Sequence, residues 1–346
     1  MNEDFLMNEE KQKNIMKSIV NKLRENKPSN FDEAYNNPDE KLREKWRNSL
    51  RKELRKMINQ GVYRKRRRRD IPTGRKCVKC KWVFEIKRNG IFRSQLVACG
   101  YSQVPGIDFT ESYAPVINDI TWRILIIIKM IFGYNAKIVD VETAFLYGNL
   151  DEQIFMDCPP GMEHEEHKCL ELNKSIYGLV QAARQYYLKF TQVLRNIGFI
   201  GGNADPCLFK RQDKNGTVFI AIWVDDSLLI GDDSAIEATI KDLRNAGFNL
   251  KIEGSLDDYL SCEISMNENN TKGWIHQPHL LKKLELKFGR DVEKLQDYTT
   301  PGTPGISTLR DAELTVSKEE HKYYRSGVGM LLYLVKHTRP DIANAV

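Results

Sequence analysis

Two adjacent aspartates, Asp225 and Asp226, interrupt the apolar run "AIWVDDSLLIG" at residues 221–231. Burying such a pair completely would cost several kcal/mol per ion, roughly. Either the pair caps a tight hairpin in water, or a cation meets it. A third acid, Asp140 in "KIVDVETAF", ends another strand-like stretch. If that strand pairs with the hairpin, the three carboxylates converge at one end of a sheet. Carboxylate oxygens suit Mg²⁺, which takes a few of them and completes its shell with water and substrate phosphates. Two such ions about 3.5–4 Å apart can serve an in-line phosphoryl displacement, one at the attacking oxygen and one at the leaving group. A solvated Asp-Asp turn uses the same residues, and spacing alone leaves both readings open.

The elements that must position these acids follow from periodicity. Residues 1–36 are polar and weakly patterned, which predicts a mobile N-terminal tail. From Asn37 to Ile58 the pattern predicts a helix, with Asn37 as cap, Pro38 in the first turn, and Trp46, Leu50, Leu54, Met57 and Ile58 as one apolar stripe. The basic run Arg64, Lys65, Arg66, Arg67, Arg68, Arg69 and the following "IPTGRK" read as a loop, so that 37–75 is a helix and basic linker. Strand-like halves flank Asn89-Gly90, a turn pair suited to a tight hairpin. "ITWRILIIIKMIFG" reads as a buried helix or strand, and "NAKIVDVETAFLYGNL" as a strand ending at Asp140 or Val141 before a short turn. A further helix carries Leu179, Ala183, Tyr187, Phe190, Leu194 and Ile197 on one face. Next come the Asp-Asp hairpin and a helix capped near Ser234 and stopped by Gly247. Short strands and then helices follow residue 251. The whole reads as an α+β layer architecture, a mixed sheet packed on helices.

Charge is concentrated. The net charge is +6 over 346 residues, yet residues 51–70 hold ten Lys/Arg against two acids, leaving the rest near neutral. A focused basic patch favours a polyanion such as nucleic acid. The N-terminus has no secretory pattern, and the longest apolar run, "ILIIIKMIF", is far too short to span a bilayer. No membrane partner is expected. Seven scattered cysteines fit a reducing compartment. Cys77 and Cys80 form a CxxC without a second pair at zinc-finger spacing, and "HEEH" at 164–167 is one residue short of a metalloprotease motif. Trp46, Trp82, Trp122 and Trp274 are expected in the core rather than as base-stacking platforms.

The ordered motifs carry a resemblance. "WVDD" between apolar strands resembles the Tyr/Phe-x-Asp-Asp signature of reverse transcriptases, and "VDVETAFLYGNLDEQIFMDCPPGM" resembles the first catalytic motif of the copia-type LTR retrotransposon branch. "KWVFEIKRNG" with "LVACGYSQ" and "ESYAPV", then "KSIYGLVQAARQYY", then "YRSGVGMLLYLVKHTRPDIANAV" follow in the same order as in that branch. The similarity runs from about residue 38 to the end. It implies a right-hand polymerase of fingers, palm and thumb. The fingers and palm would occupy 76–265, a thumb-like region 266–320, and a truncated connection toward ribonuclease H 321–346.

It further implies RNA-directed DNA polymerase activity that extends a primer on an RNA or DNA template with dNTPs. Two Mg²⁺ ions, with Mn²⁺ as a substitute, would be held by Asp140, Asp225, Asp226 and the Val141 carbonyl. Phe145 matches the ring that excludes a ribose 2′-hydroxyl by contact. Arg93, Gly178 and Gln181 fall on the nucleotide side. Trp223, Tyr259 and Leu260 fall at the primer end, and residues 64–69 would follow the nucleic-acid backbone. Other Pol or Gag products are implied as partners. The implied location is the cytoplasm, in a virus-like particle if the element is active, with the nucleus as the alternative. The chain itself then reads as a fragment, a truncated reading frame or one piece of a polyprotein.

Several positions depart from the family pattern. Trp223 replaces the usual Tyr or Phe, Gln95 and Cys99 stand where cations are usual, Val180, Ala182 and Ala183 replace Lys, Ser and Pro, and Ser261 replaces a glycine. The rival readings are a catalytically decayed remnant that at most binds nucleic acid, and a zinc-dependent nucleic-acid adaptor built on the CxxC.

Overall fold

The chain crosses three times between two folding units, one made of Met1–Val116 and Val141–Ile200, the other of Ile117–Asp140 and Gly201–Val346. The computed structural model describes residues 27–87, 89–162, 168–253, 256, 259–292 and 316–346. Among these, the helices are α1 (Phe31–Tyr35), α2 (Glu40–Asn59), α3 (Asp119–Phe132), α4 (Ala182–Asn196), α5 (Asp233–Asn245), α6 (Pro278–Val292) and α7 (Lys318–His337). The strands are β1 (Tyr63–Arg67), β2 (Cys77–Val78), β3 (Cys80–Ile86), β4 (Phe92–Ala98), β5 (Asn135–Val141), β6 (Asn149–Asp157) and β7 (Lys168–Lys174). They continue with β8 (Ile200–Gly201), β9 (Leu208–Asp213), β10 (Gly216–Trp223), β11 (Asp226–Gly231), β12 (Leu250–Glu253), β13 (Glu263–Met266) and β14 (Gly273–His276). The calls on residues 1–26, on "HEEH" and on 293–315 lie outside the described residues.

In the first unit, α2 begins later than the sequence predicts. Its cap is Asp39, whose carboxylate accepts from Leu42 N at 3.0 Å, so Asn37 and Pro38 stay outside the helix. Trp46, Leu50 and Met57 are buried as expected, but the fourth buried position is Glu53, and Ile58 is 61% exposed. Trp46 packs edge-on against Phe84 and Phe92, with ring centroids 5.3 and 4.6 Å apart, and so seats α2 on the β3–β4 hairpin. The hairpin forms, Cys80 opposite Ala98 through Ile86 opposite Phe92, but Lys87 N donates to Ile91 O at 2.9 Å, so the connection is one residue longer than a two-residue Asn89-Gly90 turn would give. Upstream, Phe31–Tyr35 is helical, capped by Asn30, where the sequence predicts only a tail.

The basic run is not a loop. Tyr63–Arg67 pairs antiparallel with β7 in a four-stranded sheet of order β1-β7-β6-β2. Sequence alone hides this because its partners are distant. Glu171 of β7 takes a two-pronged contact from Arg64 at 2.7 Å, a bond from Arg66 at 2.6 Å and one from Gln153 at 2.8 Å. The Arg64 bonds, helped by Gln153 and Arg66, overcome the opposing effect of burial and hold the Glu171 carboxyl down at about 2. A depressed carboxyl stabilises the fold above its ordinary 4.5, and that contribution is lost as pH falls toward about 2. Glu171→Gln is therefore expected to cost about 2 kcal/mol at neutral pH and to flatten the acid limb of the stability profile between those values. Urea unfolding across that range would check it, and an unchanged acid limb would refute the assignment.

In the second unit, the sheet order is β12-β5-β11-β10-β9-β8. Val218, Ile220, Ala221, Ile222, Ser227, Leu228, Leu229 and Ile230 are all essentially inaccessible. Consecutive residues are buried because both faces are covered, with α3 and α5 among the elements packed on β10 and β11. α3 is a helix, closed by Gly133 at φ 66. It is only half buried: Trp122, Leu125 and Ile126 face inward, while Ile120, Ile124, Ile127 and Ile131 are exposed. Trp274 is likewise 45% exposed rather than in the core, whereas Trp46, Trp82 and Trp122 are buried as expected. α5 starts after Asp232, and the Ser234 hydroxyl donates instead to Asn215 O at 2.6 Å.

Candidate active site

β11 pairs with β5 so that Asp226 lies directly opposite Asp140, and with β10 so that Asp226 lies opposite Trp223. Residues opposite one another in antiparallel strands point to the same face, with Cβ atoms about 4.5–5.5 Å apart. Trp223, Asp226 and Asp140 therefore share one face at one end of the sheet. Asp225 follows Val224 in the two-residue turn, and Val224 is held at φ 52. A β-branched residue in this left-handed region is uncommon and costs about 1–3 kcal/mol. The strands below are sealed, while all three acids are half-buried. That is how the chain accommodates two like charges in an apolar run: they sit where the covered sheet opens.

The donor set fits a divalent cation. Two opposed carboxylates and a third in the adjoining turn offer hard oxygens, and they leave room for the water and phosphate ligands that Mg²⁺ retains. Among the described residues, no three His, Cys, Asp or Glu side chains close into a ready ion cage. Val141, the proposed carbonyl ligand, ends β5 and is buried.

Trp223 has a neighbour that sequence reasoning missed. Lys336, at the end of α7, places its ammonium 5.9 Å from the indole centroid and 2.9 Å from the Asp119 carboxylate. Burial opposes ionisation of Asp119, but bonds from Lys336 and Trp122 prevail and hold its carboxyl below the usual range. His337 lies beside it, buried, with Nδ1 3.9 Å from Asp119. Burial pushes this imidazole down, against the pull of Asp119. No local signal could have linked Lys336 to Trp223 across that stretch of chain.

The other two primer-end residues turn inward. Tyr259 is 1% exposed, edge-on to Trp122 at 5.9 Å, and its hydroxyl has no hydrogen-bond partner among the described residues. Burial, then the nearby Asp226, pushes its hydroxyl well above the ordinary tyrosine range. Leu260 is also buried, and its carbonyl accepts from the Tyr333 hydroxyl at 3.0 Å. Both side chains thus face the protein interior. The turn they make is tight, with Tyr259 and Cys262 exchanging backbone bonds at 3.1 and 3.0 Å and Leu260 and Ser261 at φ 54 and 58. Ser261 stands where the family pattern has glycine, and its conformation shows why glycine suits the place. Ser261→Gly is expected to stabilise the chain by about 0.5–1 kcal/mol, strain relief exceeding the added chain entropy. A urea midpoint that failed to rise would contradict this turn.

In the first unit, the four predicted nucleotide-side residues behave differently. Arg93 lies on the half-open face of β4 with its guanidinium 5.9 Å from the Tyr177 centroid. Phe145, in the short 3-10 turn Ala144–Tyr147, meets the same Tyr177 ring edge-on at 4.9 Å. Tyr177, absent from the predicted set, thus joins Arg93 to Phe145. Gln181, by contrast, is fully buried. Its amide donates to Asp108 O at 2.7 Å and its oxygen accepts from Gln103 at 3.0 Å. It braces the loop before α4 from inside the protein. The buried face of α4 is also rotated from that predicted, carrying Ala182 and Tyr186 rather than Ala183 and Tyr187. Gly178 has φ +86 and presses against Ala98.

Of the basic run, Arg64 and Arg66 are engaged by Glu171, Arg68 donates to Asp157 at 2.7 Å, and Arg69 lies 3.9 Å from Asp70. All seven cysteines are free. Burial pushes both Cys77 and Cys80 up to about 12, an environment that disfavours the thiolates a zinc site needs. No helix among the described residues is long and apolar enough to cross a membrane.

Comparison with known proteins adds an independent line. A family model described as reverse transcriptase (RNA-dependent DNA polymerase) matches residues 63–290. A retrovirus-related Pol polyprotein from transposon TNT 1-94 of Nicotiana tabacum is 30% identical over 92% of this chain, and one from transposon RE1 of Arabidopsis thaliana is 30% identical over 88%. The chain spans only 24% and 20% of those two polyproteins. Among solved structures, a foamy viral protease-reverse transcriptase in complex with double-stranded DNA aligns with 83% of this chain and 40% of its own, at 13% identity and a TM-score of 0.43.

Proposed function

Because the chain belongs to the reverse transcriptase (RNA-dependent DNA polymerase) family, we propose that it is the polymerase portion of a copia-type retrotransposon Pol polyprotein and extends a primer with dNTPs. The observation that carries this reading is the register of β5 and β11, which sets Asp140 opposite Asp226 at the open end of a covered sheet, with Asp225 in the turn. These three side chains and the Val141 carbonyl would hold two Mg²⁺ ions. Bound there, the ions would activate the primer 3′-hydroxyl and neutralise charge on the departing pyrophosphate. The chain's own groups do the rest. Trp223 shares the carboxylate face and would bear on the primer terminus. Arg93 supplies a half-exposed cation for triphosphate, and Phe145 a ring to exclude a 2′-hydroxyl. A template–primer duplex and, in the longer polyprotein, other Pol and Gag products are the proposed partners, within a cytoplasmic particle.

A second reading has one observation in its favour. Ser261 occupies a left-handed position suited to glycine. A copy that still folds and binds nucleic acid but no longer polymerises would show such a change. Primer extension by the purified chain on poly(rA)/oligo(dT), with Mg²⁺ and with Mn²⁺, separates the two. Metal-dependent incorporation supports the polymerase. Tight duplex binding without incorporation, by a chain that unfolds cooperatively, supports the remnant.

A further inference from the structure

Helix α2 presents two opposed faces. Trp46, Leu50, Glu53 and Met57 face the interior. Asn48, Arg51, Lys52, Arg55 and Asn59 recur at three- and four-residue spacing on the other side, with Lys56 beside them. Asn48, Arg51, Lys52, Arg55 and Asn59 are exposed. Lys52 and Arg55 make no ion pair among the described residues. Arg51 donates to the Asn48 side chain at 3.0 Å and lies 3.3 Å from the exposed Glu44, surface contacts of the kind that contribute little and exchange readily. Lys56 helps to lower the carboxyl of Glu53, which burial raises.

We infer that this outer face of α2 is a nucleic-acid backbone contact, and that it, rather than the arginines of β1, is the chain's main basic grip in this region. The inference rests on the polymerase reading for the identity of the polyanion. Of the five arginines at 64 and 66–69, three are committed: Glu171 takes Arg64 and Arg66 of β1, and Asp157 takes Arg68 just after it. Lys52 and Arg55 of α2 carry no such commitment among the described residues. From Asn48 to Asn59 the face runs about 16 Å along the helix axis, roughly the length of five base-pair steps. The asparagines at its two ends can donate to phosphate or sugar oxygens beyond the reach of the charges. A membrane surface fits less well. A helix lying on lipid needs a free apolar face, and the apolar face of α2 is spent on the β3–β4 hairpin.

The test compares three full-length proteins: wild type, Lys52→Gln/Arg55→Gln/Lys56→Gln, and the charge-matched Lys214→Gln/Lys241→Gln/Arg244→Gln, which alters other exposed cations. Binding to a DNA duplex with a 5′ overhang is measured in EDTA from about 50 to 200 mM salt. The α2 variant should lose about 2–3 units of slope in log K against log salt and bind at least ~tenfold more weakly near 100 mM salt. The control should keep the wild-type slope. An α2 variant that keeps the wild-type slope, or a control that loses as much, overturns the assignment. So does a wild type that does not bind the duplex, or an α2 variant that loses only its binding to phosphatidylserine vesicles. Matching urea midpoints show that any loss is not unfolding. Primer extension at saturating duplex keeps the two readings apart. The α2 variant should retain the wild-type maximal rate with a raised KM for duplex. A wild type that binds with this slope but never incorporates would sink the polymerase reading and leave the binding face standing.

Discussion

Primer extension by the Asp140→Asn variant is expected to fall at least about a hundredfold, since even groups that merely support a metal ligand are worth 10–100-fold. The same loss is expected for Asp225→Asn, while Glu268→Gln, an exposed acid elsewhere in the same unit, should leave the rate intact. Stability supplies an independent readout. Asp140 and Asp226 are opposed in register, and like charges directly opposite across a strand pair are unfavourable by about 0.2–1 kcal/mol. Replacing one by an amide of the same shape should therefore leave the melting temperature in EDTA no lower than wild type. Adding Mg²⁺ should raise the wild-type melting temperature, because ligand binding to the native state alone stabilises it, and should leave the variant unmoved. An Asp140→Asn protein that extends primers at the wild-type rate would end the two-metal assignment. One that loses activity but still gains stability from Mg²⁺ would place the ions elsewhere.

Much of this site could be read before any coordinates were known, for a definite reason. A one-residue slip in a strand flips every side chain to the other face, so the covered runs around "WVDD" and "KIVD" pin their own register and bring Asp226 opposite Asp140. The hairpin around Asn89-Gly90 is legible because its turn pair is local, but its register is not, since the connection is one residue longer than that pair alone would give. What escaped depends on partners far along the chain. Residues 64–69 look like a loop, yet 64–67 form a strand whose Arg64 meets Glu171, 107 positions away. α4 is rotated because Gln185 and Thr191 are buried on it, which apolar spacing does not reveal. A motif match gives a residue's place in the chain but not the direction of its side chain. Tyr259 and Gln181 matched their motifs and yet face the interior.

Gly178→Ala is expected to destabilise the chain by more than about 3 kcal/mol, the sum of backbone strain and a clash that cannot relax. The sequence suggests that this glycine admits close backbone approach, and the approaching backbone belongs to the protein itself. A Cβ at Gly178 would stand 2.1 Å from the Ala98 carbonyl oxygen and 2.5 Å from a Val97 methyl, at a φ of +86. Tyr177 O already accepts from Ala98 N at 2.8 Å, so the two segments are tied at this contact. From the other side, a Cβ on Gly100 would meet Gly178 O at 2.5 Å. Since β4 carries Arg93 and Tyr177 meets Phe145, the same contact holds the proposed nucleotide-side residues in place. The comparison that isolates the clash is Gly106→Ala, with φ +78 and open space around it. That variant should show the φ cost alone, about 1 kcal/mol. Urea unfolding of the two, followed by primer extension of whatever folds, gives the answer. Equal losses would mean that the 178–98 contact is not a tight one. A Gly178→Ala protein that folded normally but no longer incorporated dNTPs would return this glycine from packing to direct contact with substrate.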